Sequence, residues 1–285
     1  MNNFAAQSMK HYHYPIIPSS GMPILDTRIL ESLKSVAHSR HLWTWKPWSN
    51  YPGVAEDLEK HGIFHQPEDL KSHSTIVIPP HGAPMSLKKI WKSERRNVID
   101  HSSAAVRRAQ SAFALMRLEG SALAIVGRRS DPETLAIIAD HPRALVIENA
   151  EDAVRIPFHP SYSLICQTAF DPALARKFSE IIQGRHRDSK VTFLDTSAPE
   201  EEIRRRELRN AAAQLESIIV IGHSLAAEML CHTTREMRLN VYHNMLPPFA
   251  VNRCAIIASS DVPQSEFHRF PLAKEAPSDQ TQISA

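Results

Sequence analysis

The sequence predicts an α/β protein of three similar modules, each built on a mostly parallel sheet. Short β-branched runs alternate along the chain with amphipathic stretches rich in Ala, Leu, Glu and Arg, the pattern of strands joined by crossover helices. The runs are almost continuously apolar, as strands covered on both faces must be. At 285 residues the chain is also long for one hydrophobic core, so modules of about 100 residues are expected.

Taken in order, residues 1–13 and 270–285 are polar and turn-rich and read as a flexible arm and tail. The modules between them are placed at 14–110, 111–198 and 199–269. In the first, Trp43 and Trp45 alternate on a strand and Trp48 follows in a turn. These three offer either a packing face, for a domain contact or a homodimer, or an aromatic wall for a ligand pocket. Strands Thr75–Ile78 and Asn97–Ile99 complete the module, and a helix over Ala104–Leu118 leads out of it. The second module reads as strands Ala122–Val126, Ala144–Ile147, Ser163–Cys166 and Lys190–Leu194 with helices Pro132–Ala139 and Pro172–Ile182. The third has helix Glu200–Leu215, strand Ser217–Ile221, helix Leu225–Met237 and strands Leu239–Tyr242 and Cys254–Ile257. Its first helix carries start signals: Ser197 as cap, Glu200 closing a capping box and Pro199 in the first turn. Glu200, Glu201 and Glu202 face Arg204, Arg205 and Arg206 at i+4, which reads as a solvated helix face.

Composition removes several function classes. With 33 basic and 31 acidic side chains the chain has no electrostatic footprint for nucleic acid or an anionic membrane. The longest apolar runs are far short of the roughly 20 residues that span a bilayer, and no leader opens the chain, so a cytoplasmic protein is expected. Cys166, Cys231 and Cys254 lack paired spacing and fall within predicted strands or a helix, where a thiol acts as a buried hydrophobe. Only 8 glycines are present, and no glycine-rich phosphate loop is among the motifs.

Three strands end in similar polar loops that enter a helix, after Ile78, Val126 and Ile221. A second set ends in Asp100-His101-Ser102-Ser103, Gln167-Thr168, Asp195-Thr196-Ser197 and Ser259-Ser260-Asp261. Parallel sheets place ligands outside the carboxyl ends of their strands, so these ends are the candidate site. His81, His101, Asp131, Glu133, Asp195 and His223 all lie there. Two histidines and a carboxylate can hold a mononuclear metal. The same groups can do acid–base work, His81 or Glu133 moving a proton and Asp195 orienting it. With 16 histidines, some also gather in loops by chance. No H-E-x-x-H spacing decides for the metal. Glu133 follows Asp131-Pro132 at a helix start, where free N–H groups favour a carboxylate. Two carboxylates near two histidines are expected to hold an imidazole charged above its usual pH of about 6.5.

The order of motifs resembles the LytB/IspH family of 4-hydroxy-3-methylbut-2-enyl diphosphate reductases. The segments that carry the resemblance are Asn50 with Val54–Phe64, His81-Gly82, Asn97–Asp100, Gly127 with Asp131-Pro132-Glu133, Val146–Ala153, Gln167-Thr168 and Ile219–Gly222. They run from about Gly21 to about Pro263. The resemblance implies a pseudo-threefold, LytB/IspH-like trefoil of three α/β domains around a central cavity. It also implies an iron–sulfur cluster held by three cysteines. At the matching places stand Pro23 in Gly21-Met22-Pro23, Ser103 in Ser102-Ser103-Ala104, and Asp195. None of these is a thiolate, so no cluster is expected.

The diphosphate site that the resemblance implies is altered as well. Ser49 and Asp131 stand where ligand-binding histidines are expected, and the third loop becomes His223-Ser224-Leu225. Asp261 falls near the place of a phosphate-binding serine. Asp131 and Asp261 introduce like-charge repulsion toward a diphosphate. His81, Thr168 and the proton-relay glutamate position at Glu133 remain. The expected catalytic set is therefore His81, Glu133, Asp195 and His101. Ser49, Asn50, Ser103, Asp131, Thr168, His223, Ser224, Ser260 and Asp261 are the expected contacts to a small molecule. Two classes stay open: a cluster-free enzyme of lyase, hydrolase or isomerase type, and a binding or scaffold protein with a vestigial site.

Overall fold

A computed structural model of the protein describes residues 14–17, 27–37, 42–65, 74–117, 120–247, 251, 253–263 and 273–274. The first elements are β1 (Tyr14–Pro15), α1 (Thr27–Ala37), β2 (Leu42–Thr44), α2 (Val54–Lys60) and β3 (Ile63–Phe64). They are followed by β4 (Thr75–Ile78), α3 (Met85–Ser93), β5 (Asn97–Asp100) and α4 (Ala104–Met116). The middle of the chain forms β6 (Ala122–Val126), α5 (Pro132–Ile138), β7 (Leu145–Ile147), α6 (Ala150–Arg155), β8 (Ser161–Cys166), α7 (Pro172–Arg185) and β9 (Lys190–Leu194). The last part forms α8 (Pro199–Ala212), β10 (Ser217–Ile221), α9 (Leu225–Glu236), β11 (Asn240–His243), β12 (Cys254–Ala258) and β13 (Ala273–Lys274). The predicted strands stand within two residues of their expected limits.

Among the described residues every strand pair is parallel, and the three larger sheets are wound alike. Their orders are β3-β2-β4-β5, β7-β6-β8-β9 and β11-β10-β12. In each, the second strand of the module lies outside the first, and the third on the first strand's other side. That order puts the topological switch point between the first and third strands, where ligands sit in open α/β sheets. The third sheet obtains its fourth member from the other end of the chain. Ile16 bridges Ile256 in parallel, and the Ile17 N–H donates to the Ile256 carbonyl at 2.8 Å. β1 in turn pairs with β13.

Two compact units result, one holding Thr27–Glu202 and the other β1 together with the described residues from Ile203 on. The division falls inside α8. This corrects the expected module limits in two places. Tyr14–Ile17 belongs with the third sheet, and Ile17 is buried in its core beside Leu208, Ile218, Val220, Leu230 and Ile257. The limit at 110 cuts α4, whose Ala109, Phe113 and Met116 pack on the second sheet against Leu123, Ile125, Val146 and Ile165. Ala273–Lys274 lies in the expected tail but is paired with β1. The expected arm over 1–13 lies outside the described residues.

Two further expectations change. The charged stretch of α8 is solvated only in part: Glu200, Glu202 and Arg206 are exposed, whereas Arg204 and Arg205 are each 1% exposed, and Glu201 and Leu208 share their stripe in the interior. Spacing at i, i+3, i+4 and i+7 puts these four on one side, and the helix buries that side whatever its charge. Of the tryptophans, Trp48 is buried against the His101 ring, centroids 5.6 Å apart and edge to face, which removes it from any shared outer face. Trp43 pairs with Phe64 and Trp45 with Trp91, both tryptophans remaining partly exposed.

Candidate functional site

At the carboxyl edge of the second sheet, Asp131 caps α5 by accepting the Glu133 N–H at 2.9 Å. That leaves the Glu133 side chain facing inward, 4% exposed, toward the loop after β8. There its Oε1 accepts the Thr168 N–H at 2.8 Å and its Oε2 lies 2.7 Å from Thr168 Oγ1. Burial, with the Asp131 carboxylate beside it, pushes the Glu133 carboxyl up to about 8 against the pull of both Thr168 bonds. The helix start does not make Glu133 a carboxylate, as its position suggested; Asp131 takes the amide, and burial dominates. Gln167, missing from the expected set, braces the same corner. Its Oε1 accepts from the Arg128 N–H and the Thr134 hydroxyl, and a Cβ on Gly127 would come within 2.6 Å of it.

Cys166, the last residue of β8, adjoins Thr196 and Asp195. Asp195 itself is exposed, and its Oδ1 accepts the Ser197 N–H at 2.9 Å and hydroxyl at 2.7 Å. Ser197, expected to cap α8, thus spends its hydroxyl on Asp195. Ser103 has a comparable duty, capping α4 by accepting the Val106 N–H. Of the residues at the expected cysteine positions, Ser103 therefore caps α4 and Asp195 orders the loop before α8.

On the first sheet, His81 lies in the turn after β4, closed by the Gly82 N–H donating to the Pro79 carbonyl. The turn is held tightly. Gly82 has φ +82°, a Cβ there would meet Val106 at 2.9 Å, and the Gln110 amide donates to the Ala83 carbonyl. His81 Nε2 is sealed from solvent and has no hydrogen-bond partner among the described residues. Burial, aided by the nearby Lys46 charge, lowers the imidazole to about 4, so it stays neutral. This corrects the expectation of a charged imidazole: a cation, not a carboxylate, is its charged neighbour. His101 packs on Trp48. Ser49 accepts the Tyr51 N–H in a turn, and Asn50 is exposed. The four expected catalytic residues do not form one bonded cluster among the described residues. Glu133 and Asp195 flank Cys166 on the second sheet, and His81 and His101 end strands of the first.

At the edge of the third sheet, Asp261 is the hub. Its Oδ2 accepts the His223 N–H at 2.9 Å, and its Oδ1 accepts the Ser224 hydroxyl at 2.7 Å and the Ser259 hydroxyl. Gly222 makes this approach feasible: its φ is +140°, and a Cβ would overlap the Ser259 hydroxyl at 1.8 Å. Asn244 clamps Gly222 from the other side through both its amide groups. Ser260 is partly exposed on the same loop. Ser259, Gln167 and Asn244 were missed in the sequence. The first two share one signal, a polar residue directly after the module's third strand, opposite the glycine that follows its first.

Thiol chemistry is not assembled here. Cys166 ends β8, Cys231 is in mid-α9 and Cys254 starts β12, all buried as expected. Burial pushes the three thiols up, Cys166 to about 12 and the others to about 11, so none is a thiolate at neutral pH. Three such groups do not fit a shared iron–sulfur cluster. Pro23 lies outside the described residues. Among the described residues no three of His, Cys, Asp and Glu are grouped as metal ligands, and no helix is long and apolar enough to cross a membrane. A cavity of about 420 Å³ between Ile16, Ile17, α8 and Ala255 contains none of the expected site residues.

Comparison with known proteins places these features in context. The 4-hydroxy-3-methylbut-2-enyl diphosphate reductase of Syntrophotalea carbinolica is 23% identical over 209 residues, covering 71% of this chain and 74% of the relative. That of Treponema denticola is 26% identical over 212 residues, covering 70% and 72%. The structure of the E-1-hydroxy-2-methyl-but-2-enyl-4-diphosphate reductase from Plasmodium falciparum matches with a TM-score of 0.76 over 91% of this chain and 86% of that one, at 15% identity. A solved (E)-4-hydroxy-3-methyl-but-2-enyl diphosphate reductase matches with a TM-score of 0.60 over 90% and 96%, at 21% identity. The family model described as LytB protein matches residues 27–243, and the chain belongs to that family.

Proposed function

We propose that this LytB-family chain is a cluster-free enzyme that performs acid–base chemistry on a small polar substrate, of lyase, hydrolase or isomerase type. The observation that supports this reading is the Glu133–Thr168 pair. A carboxylic acid titrating at about 8 holds its proton at neutral pH and is poised to give it up. In its protonated form Glu133 donates through Oε2 to Thr168 Oγ1, which frees the threonine hydrogen to face a ligand. In the reacting step that hydrogen passes to a leaving oxygen of the substrate. The Glu133 proton replaces it on Thr168, and Glu133 is left as the carboxylate. In this reading Asp195 supplies an exposed carboxylate at the same sheet edge, while His81 offers a neutral ring nitrogen and His101 is held by Trp48.

The relatives are named for reducing a diphosphate. In the present chain Ser103 caps a helix, Asp195 orders the loop before α8 and the thiols are buried, which supports a different reaction. The test has two arms. Anaerobic reconstitution with iron and sulfide is expected to give no cluster absorption approaching one per chain. Deleting the gene from its host and comparing small-molecule pools identifies the compound that accumulates. Glu133→Gln is then expected to cut its turnover by about 100-fold or more. A stoichiometric cluster with reductase turnover sinks the proposal, and so does full restoration of the pools by Glu133→Gln, which leaves the scaffold reading.

A further inference from the structure

We propose that Asp140 is a positioning residue for the candidate site: it fastens the turn that carries His81 to the far end of the helix that carries Glu133, and so holds the two loops in one register. The inference rests on the proposed function only in taking His81 and Glu133 as site residues. Both ends of the link lie in the unit Thr27–Glu202. One end is α5, which has Glu133 in its first turn and finishes two residues before Asp140. The Ala139 N–H donates to the Leu135 carbonyl and the His141 N–H to the Ile138 carbonyl, so Asp140 sits on a rigid extension of the helix. The other end is α3, whose first residue stands four after His81. Asp140 accepts the Met85 N–H on Oδ2 at 2.6 Å and the Ser86 N–H on Oδ1 at 3.1 Å, one oxygen for each. Two bonds from one carboxylate fix orientation as well as distance.

A second tie meets the same segment. Gln110 of α4 donates to the Ala83 carbonyl at 2.9 Å, and α4 packs on the second sheet through Phe113. The Phe113 ring in turn meets His141, next to Asp140, edge to face at 5.1 Å. Ala83–Ser86 is thus held by two helices that belong with the second sheet, although β4 before it belongs to the first. Helices α4, α5, α6 and α7 each accept a cap from the residue before them; of these five helices α3 alone is capped from another sheet's helix. Between β4 and this clamp lies His81, its Nε2 sealed and without a partner among the described residues. An unmet polar atom stays dry only while its turn is kept from opening to water. That burial, with Lys46 as the charged group bearing on the ring, holds the imidazole down at about 4.

The test is an NMR titration of the full-length protein labelled at histidine, with the His81 signal identified from His81→Gln. In the wild type His81 is expected to titrate near 4. In Asp140→Ala it is expected to rise by about one pH unit or more, toward the free value of about 6.5, as water reaches the ring. The sign is diagnostic, because loss of a carboxylate by itself lowers an imidazole's pKa. Asp140→Asn, which keeps one acceptor, is expected to fall between the two. Asn149→Ala removes the cap of α6 in the same unit, a comparable loss of stability, and is expected to leave His81 at its wild-type value. A wild-type His81 that titrates near the free value overturns the proposal. So does a His81 unmoved in Asp140→Ala, or one raised equally by Asn149→Ala. If Asp140→Ala does not fold, Asp140→Asn decides by the same criteria. No turnover enters these measurements, so failure of the clamp and failure of the Glu133 chemistry are told apart.

Discussion

A carboxyl group sealed from water beside another carboxylate keeps its proton, and Glu133 is such a group. The folded chain holds this proton to about pH 8, whereas the unfolded chain releases it near 4.5. Glu133's contribution to stability is therefore expected to fall as pH rises through that window and to level off above it, while the buried neutral His81 acts in the opposite sense between about 4 and 6.5. Glutamine mimics the protonated side chain, its oxygen accepting the Thr168 N–H and its amide donating to the hydroxyl. In urea unfolding at pH 5, 6, 7 and 8, Glu133→Gln is expected to lack this decline and to be the more stable protein at pH 8. An unchanged slope would mean that Glu133 is ionised in the fold. That Glu133 and His81 lie just beyond strand ends was readable in the sequence, but their charge states were not. Those depend on what buries each group: Glu133 lies under its own helix cap and the Thr168 loop, and His81 next to Lys46, relations between segments distant in sequence.

α4, α5 and α7, which begin at their own capping residues, were legible, whereas α3, capped from elsewhere, was not, and neither was the short α6 despite its Asn149 cap. α4 and α5 begin at Ser103 and Asp131, which accept N–H groups in the first turn. α3 has Pro84 at its N-cap and no side-chain cap there. Its donors are met instead by Asp140, 54 and 55 residues on, which accepts the Ser86 N–H at 3.1 Å and the Met85 N–H at 2.6 Å. A carboxylate on two helix N–H groups is worth about 1 kcal/mol, so Asp140→Ala should lower unfolding free energy by that amount and Asp140→Asn by less. Urea midpoints measure both. For α8 the charge pattern was legible and its burial was not, because three acids followed one turn on by three bases put both signs on every side of the helix. Buried charge is costly to disturb. Arg205→Ala is therefore expected to cost about 3 kcal/mol, while the exposed Arg206→Ala stays within about 0.5 kcal/mol. Equal losses would place α8 with its charges in solvent.

Across the whole molecule, one strand order is used three times, and the third use is completed by Tyr14–Ile17. Periodicity locates strands but carries no pairing partner, so this segment read as the start of the first module when it is a member of the last. Ile17, 6% exposed, is part of that core. Ile17→Ala should cost about 3 kcal/mol. Deleting residues 1–17 should strip hydrogen-exchange protection from β12 while β6 and β8 of the other unit keep theirs. Equal loss in both sheets would mean that the segment supports the whole chain.

That borrowed strand also sets an order of events during synthesis. Tyr14–Ile17 leaves the ribosome before the strand it joins, at Ile256, which is made about 240 residues later. At roughly 5–20 residues per second the wait is some tens of seconds, long after the sheets of the other unit can have formed. Closing so long a loop makes this pairing a late step in folding. For that interval the nascent chain carries Tyr14, Ile16 and Ile17 without their partner strand, a short apolar stretch open to chaperones or to other chains. A strand made early is among the last to be secured.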